Sequence, residues 1–148
     1  MIEVMLQNIR KLRKEVRDLQ EQIAVLEDKA MPGGLKTKDI QVQTSGKADP
    51  MADAIVLYVD EQMKLQQKIR ILNIEINIAE SCIAAIKDPE ERRVMWLYYV
   101  SGDKPMSMNE VAERIPCALS TAWSKRSKGL KHVEIILDKI RTLSDGIV

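Results

Sequence analysis

Apolar residues in the first thirty positions fall at Ile2, Met5, Ile9, Leu12, Val16, Leu19, Ile23 and Leu26, with spacings that alternate between four and three. That period belongs to a helix with one narrow buried seam, and rise per residue makes such a helix about 45 Å long. Ile2, Ile9, Val16 and Ile23 take one seam position, and Met5, Leu12, Leu19 and Leu26 take the other. The distribution favours a parallel dimer, but spacing alone leaves a hairpin with the next helix equally open. Over residues 51–87, Ile55, Ile69, Ile76 and Ile83 repeat at seven with Gln62 filling the gap. Tyr58, Leu65, Leu72, Ala79 and Ile86 form the companion row, and Ile71, Ile74, Ile78 and Ala85 form a second apolar face. A helix apolar on two sides is expected between two partners, with Gln62 and Asn73 near the seam to specify register. Pro32, Gly33, Gly34, Ser45, Gly46 and Pro50 make residues 31–50 a linker, with a brief extended segment at Ile40 and Val42. Asp49 as cap and Pro50 at the first helical position open the second long helix.

Asp88, Pro89 and Glu91 predict the start of a third helix, which ends near Ser101 and Gly102. It brings together Trp96, Tyr98 and Tyr99, of which Tyr99 is expected to pack against the elements that follow. Ser107 and Glu110 then form a capping box ahead of Val111, Ala112 and Ile115. Pro116 biases Ile115 out of helical dihedrals, so the helix should stop there and turn through residues 116–119. In the next helix Ala122, Leu130 and Val133 face inward, while Ser120, Thr121, Trp123, Ser124, Lys125, Ser127 and Lys128 share the outward side. The apolar pattern continues through Ile136, Leu137, Ile140 and Leu143, with a break at Gly129 as the alternative to one long helix. The expectation is an all-α chain: two long helices in residues 1–87, then a helix-turn-helix domain in residues 88–148.

Composition sharpens this picture. Hydrophobic residues make up 45% of the 148 positions but aromatic ones only 3%, with no phenylalanine, which suits helices packed by aliphatic side chains. The net charge is +1, yet Lys125, Arg126, Lys128 and Lys131 cluster between Ser120 and His132 with no acidic residue among them. Concentrated basic charge on an outward helix face points to nucleic acid. Thr121, Ser124 and Lys125 would approach base edges, and Lys128 and Lys131 phosphates. Trp123 would press on a sugar, phosphate or thymine methyl, or pack on a neighbouring helix. No apolar run approaches the roughly 20 residues of a membrane span, and no signal-peptide pattern opens the chain, so a cytoplasmic protein is expected. Cys82 and Cys117 lack the spacing of a disulfide framework or zinc site and should be buried small hydrophobes. His132 stands alone as a surface or phosphate-proximal residue, and Glu90 and Glu91 suit a helix start better than a metal. The PGGLKTKD stretch lacks the spacing of a phosphate-binding loop. Neither an enzyme nor a cofactor is expected.

STAWSKRSKGLKHV resembles the recognition helix of sigma factor region 4, and DPEERRVMWLYYVSG is similar to the helix that precedes it. With the amino-terminal heptads and the MPGG and ADP loop, the chain resembles the small phage-encoded regulators of the ArpU and RinA type. That resemblance implies a sequence-specific regulator of late genes bound to double-stranded DNA, working as a homo-oligomer, dimer favoured, with RNA polymerase a candidate partner in the bacterial host cytoplasm. Pro116 stands where the family has glycine and Ala118 where it has a serine cap, which moves the capping expectation to Ser120. Gly129 replaces an alanine and weakens the helix by roughly 1 kcal/mol unless close packing requires it. Arg126 takes a position that is often apolar and is not expected to read bases. Two other readings stay open: a DNA-packaging adaptor of the small terminase kind, and a coiled-coil interaction module without DNA binding.

Overall fold

The computed structural model describes residues 2–30 and 50–146. Among these residues lie six helices: α1 (Ile2–Gln7), α2 (Ile9–Ala30), α3 (Pro50–Ala84), α4 (Pro89–Tyr99), α5 (Met108–Arg114) and α6 (Leu119–Gly146). Among the described residues the chain is all-α, as the periodicity indicates. The linker with Ile40 and Val42, the PGGLKTKD stretch and the Asp49 cap lie outside the described residues. The hydrogen-bond ladder runs through the α1–α2 junction, because Asn8 N donates to Val4 O at 3.1 Å and Leu12 N to Asn8 O at 2.9 Å. α3 ends three residues short of the expected Lys87, where Ile86 N tightens onto Ile83 O at 3.1 Å.

Two compact units emerge, one of Met1–Lys14 with Ile74–Val148 and one of Glu15–Asn73. These divisions fall inside α2 and α3 rather than at residue 87, where the heptads stop. In the smaller unit Val16 and Leu65 are buried, and Gln62 Nε2 donates to Glu27 Oε1 at 3.5 Å. Glu15 and Leu19 share a shallow groove with Ile71 and Leu72, so low numbers on α2 meet high numbers on α3. The two helices therefore pair antiparallel within one chain. Among the described residues the other side of this part of α3 has no such cover: Val56, Val59 and Met63 are exposed, and Asn73 is exposed rather than near a seam. Among the described residues the second apolar face expected of α3, Ile71, Ile74, Ile78 and Ala85, is exposed rather than buried between two partners.

In the larger unit α1 packs on α6, and α4, α5 and α6 pack on one another. Tyr99, Leu6, Ile9, Ile83, Ile86, Met95, Val94, Val100, Val111, Val133 and Cys82 are fully buried. Leu6 belongs to neither seam row, yet it is as buried as Ile9, and α1 packs on α6. Cys82 behaves as the small hydrophobe expected, and burial raises its thiol pKa. Asp88 Oδ1 accepts from Glu90 N at 3.1 Å with Pro89 opening α4, as the local pattern predicts.

The other end of α4 is closed from outside. Arg10 donates to Leu97 O at 3.2 Å, to Tyr98 O at 3.0 Å and to Ser101 O at 2.9 Å. Arg13 donates to Val100 O, and to Gly102 O at 2.7 Å. Final-turn carbonyls have no partner inside their own helix, and cations are favoured at this end of the dipole. Gly102, at φ 72°, lets the chain leave in the left-handed conformation. Leu6→Ala should lower the unfolding free energy by about 2–5 kcal/mol in denaturant titration. Val25→Ala, at an exposed position of α2, should change it by less than about 0.5 kcal/mol.

Candidate nucleic-acid interface

α5 is opened by a side-chain cap, and one small apolar cluster holds it against α6. Ser107 Oγ accepts from Glu110 N at 3.3 Å, and Ile115 closes α5 one residue before Pro116. Cys117 N then donates to Ala112 O at 3.1 Å and Ala122 N to Ala118 O at 3.0 Å, which folds the intervening residues into a tight turn. Ser120 is consequently the second residue of α6 and not its cap; Ala118 holds the capping position. Val94, Met108, Val111, Ala112 and Ala122 form the buried cluster, with Leu97, Tyr98, Ile115 and Cys117 packed around it.

Further along, α6 continues unbroken through Gly129. A Cβ at that position would lie 2.5 Å from Met95 Cγ and 2.6 Å from Met95 Sδ. The helix tolerates glycine because α4 and α6 approach too closely there for a methyl group. Of the inward residues expected, Ala122 and Val133 are buried and Leu130 is half-buried.

The outward residues separate into two groups. Ser120, Thr121, Ser124, Ser127, Lys128 and Lys131 are all exposed, and Trp123 is 42% exposed. Among the described residues no ion pair involves Lys128 or Lys131. Lys125 belongs elsewhere: its ammonium lies 2.9 Å from Glu90 Oε2 and 3.5 Å from Asp88 Oδ2, and its side chain is 19% exposed. The Glu90 hydrogen bond holds the ammonium above its ordinary pKa against the opposing effect of burial, with Asp88 adding to the pull. The base-edge role expected of Lys125 therefore competes with Glu90 of α4 and Asp88, the residue that caps it.

Arg126 is turned inward. It donates to Tyr99 Oη at 3.0 Å and pairs with Glu3 of α1. Its guanidinium also lies 5.4 Å from the Tyr98 ring centre and 5.3 Å from that of Trp123. Tyr98 meets Tyr99 edge to face at 4.9 Å and Trp123 at 6.2 Å. Tyr99 thus packs against α6, as expected, and burial raises its phenol pKa despite Arg126. Trp123 meets the packing expectation on one side, where Tyr98 and Arg126 hold it, and the rest of its surface is open to solvent. His132, expected at the surface, is half-exposed and joined through Nδ1 to Glu91, whose carboxylate is 3% exposed.

The pairs that withdraw Lys125 and Arg126, the Glu91–His132 contact and the closing of α4 by Arg10 and Arg13 of α2 escaped sequence reasoning. Local spacing carries no signal for them, since Arg10 and Leu97 lie 87 residues apart. The nearest hint was Arg126 in a position that resembled an apolar one. Nothing in this arrangement groups three metal-ligating side chains among the described residues.

Gly129→Ala should lower stability by about 1–3 kcal/mol in denaturant titration despite its better helix propensity. Combined with Met95→Ala it should cost less than the sum of the two single changes, because the second change removes the clashing atoms. A second test concerns acid. Burial would raise the Asp88 pKa, but the Glu90 N–H and Lys125 outweigh it and hold the carboxyl below its usual 3.8. Its stabilising contribution is therefore present above that value and lost as pH falls through the lower folded-state pKa. Asp88→Asn keeps a capping oxygen and drops the charge, so thermal melts should show a shallower loss of stability below about pH 4. Comparison with protein-family models, curated proteins and solved structures found no match to this chain.

Proposed function

We propose that the chain is a DNA-binding transcription regulator of the ArpU and RinA kind rather than an enzyme, and that α5 and α6 act as a helix-turn-helix with α6 as recognition helix. The observation that supports this most is the outward face of α6. Four hydroxyl side chains and the exposed Lys128 and Lys131 line it, while the opposite side is anchored in the core. Hydroxyls can accept or donate at base edges and phosphates, and unpaired lysines supply the phosphate contacts that make such binding salt-dependent. Lys125 is reassigned from base reading to holding α6 against α4. The exposed apolar side of α3 supports assembly as a homo-oligomer, because contiguous apolar surface of this kind marks interaction sites. No described helix is long and apolar enough to cross a membrane. Action in the bacterial host cytoplasm, on phage late genes and together with RNA polymerase, completes the proposal.

Selection of bound duplexes from a random library tests it directly. Wild-type protein should enrich a defined motif, and a Lys128→Glu, Lys131→Glu double variant should not. Lys128→Ala and Lys131→Ala should each reduce the slope of log affinity against log salt by about 0.9 per subunit, while Lys125→Ala leaves it unchanged. Absence of salt-sensitive duplex binding would sink the proposal, and a closed ring of many subunits would redirect it to DNA packaging.

A further inference from the structure

We infer that α6 recognises its duplex through thymine methyl groups, and not through the forked hydrogen bonding to guanine or adenine that arginine, asparagine or glutamine provides. The inference rests on the DNA-binding role proposed above and specifies what that site reads. From Leu119 to His132 the only forked side chain is Arg126, and it is committed to Glu3, Tyr99 and the rings of Tyr98 and Trp123. Lys125 is held by Glu90 and Asp88. The exposed polar set is then Ser120, Thr121, Ser124, Ser127, Lys128 and Lys131. Serine and threonine hydroxyls accept or donate to any base and discriminate weakly, and a lysine is a point charge rather than a fork.

What remains on this part of the helix is apolar surface. Leu119 is 43% exposed and Trp123 is 42% exposed, one helical turn apart on the same edge, and the methyl of exposed Thr121 lies toward the other edge. Trp123 is held in place by the contacts at its back, so its open surface is presented without further ordering. In the major groove the C5 methyl of thymine is the apolar group against which such side chains pack. Binding would bury both, and the pattern of thymines along the groove would set the register.

The test uses the full-length protein and the tightest duplex from the library selection, with two kinds of altered base. Replacing single thymines by uracil removes only the methyl group. It should weaken binding about fourfold at two or more positions, the effect of losing one buried methyl. Replacing guanines by 7-deazaguanine removes the N7 acceptor and should change affinity less than twofold. Thr121→Ser and Leu119→Ala, both at exposed positions, should each abolish the uracil penalty at one thymine while leaving the salt slope intact. A loss of about tenfold or more with 7-deazaguanine and none with uracil would overturn the inference and leave DNA binding standing. Binding insensitive to both changes would overturn it in favour of readout through DNA shape. Failure to bind any duplex at low salt would instead remove the DNA-binding role itself, and this inference with it.

Discussion

The final carbonyls of α4 have no partners within their own helix, and two arginines from the first turns of α2 supply them. Arg10 and Arg13 reach Leu97, Tyr98, Val100, Ser101 and Gly102, so one end of the chain closes a helix near the other. Burial first, and then its neighbour Arg13, lower the pKa of Arg10, but a guanidinium stays charged across the physiological range. Hydrogen bonds from charged donors are worth about 1.5–3 kcal/mol where solvent is excluded, and several converge on one helix end. With the arginines come Leu6 and Ile9, which complete the core, and Glu3, which meets Arg126. The amino-terminal residues are therefore structural members of the unit that holds α6.

That docking also sorts the charges of α6. Four basic residues lie close together in its first half, yet Lys125 and Arg126 are neutralised by carboxylates from α4 and α1. Paired charges add little to the field felt by an approaching polyanion, and solvent screens what remains within about a Debye length. Lys128 and Lys131 are left to define the outward electrostatic face, beside serine and threonine hydroxyls. The surface of the helix is consequently milder and more apolar than its composition implies.

In the unit of Glu15–Asn73 the balance differs. α2 and α3 cover one seam between them, and the other side of α3 leaves Val56, Val59 and Met63 in solvent. Apolar residues scattered singly on a surface are ordinary, but several at helical spacing on one side of one helix are not.

Local rules written in the sequence decided most of the secondary structure. The Asp88 and Ser107 caps and the stop before Pro116 depend on neighbours one to three positions away, and each occurs where spacing places it; of the α2 seam, Ile9 and Val16 are buried. The sorting of Ala122 and Val133 inward and of Ser120, Thr121, Ser124, Ser127 and Lys128 outward was legible for the same reason. Tertiary structure alone decided that the heptads close as an intramolecular antiparallel hairpin, since one spacing serves either pairing. It alone decided the need for Gly129, which is set by Met95 on another helix, and which cations of α6 remain available. Those outcomes depend on carboxylates, carbonyls and a thioether that folding brings close in space from distant positions in the chain, and no local period records them.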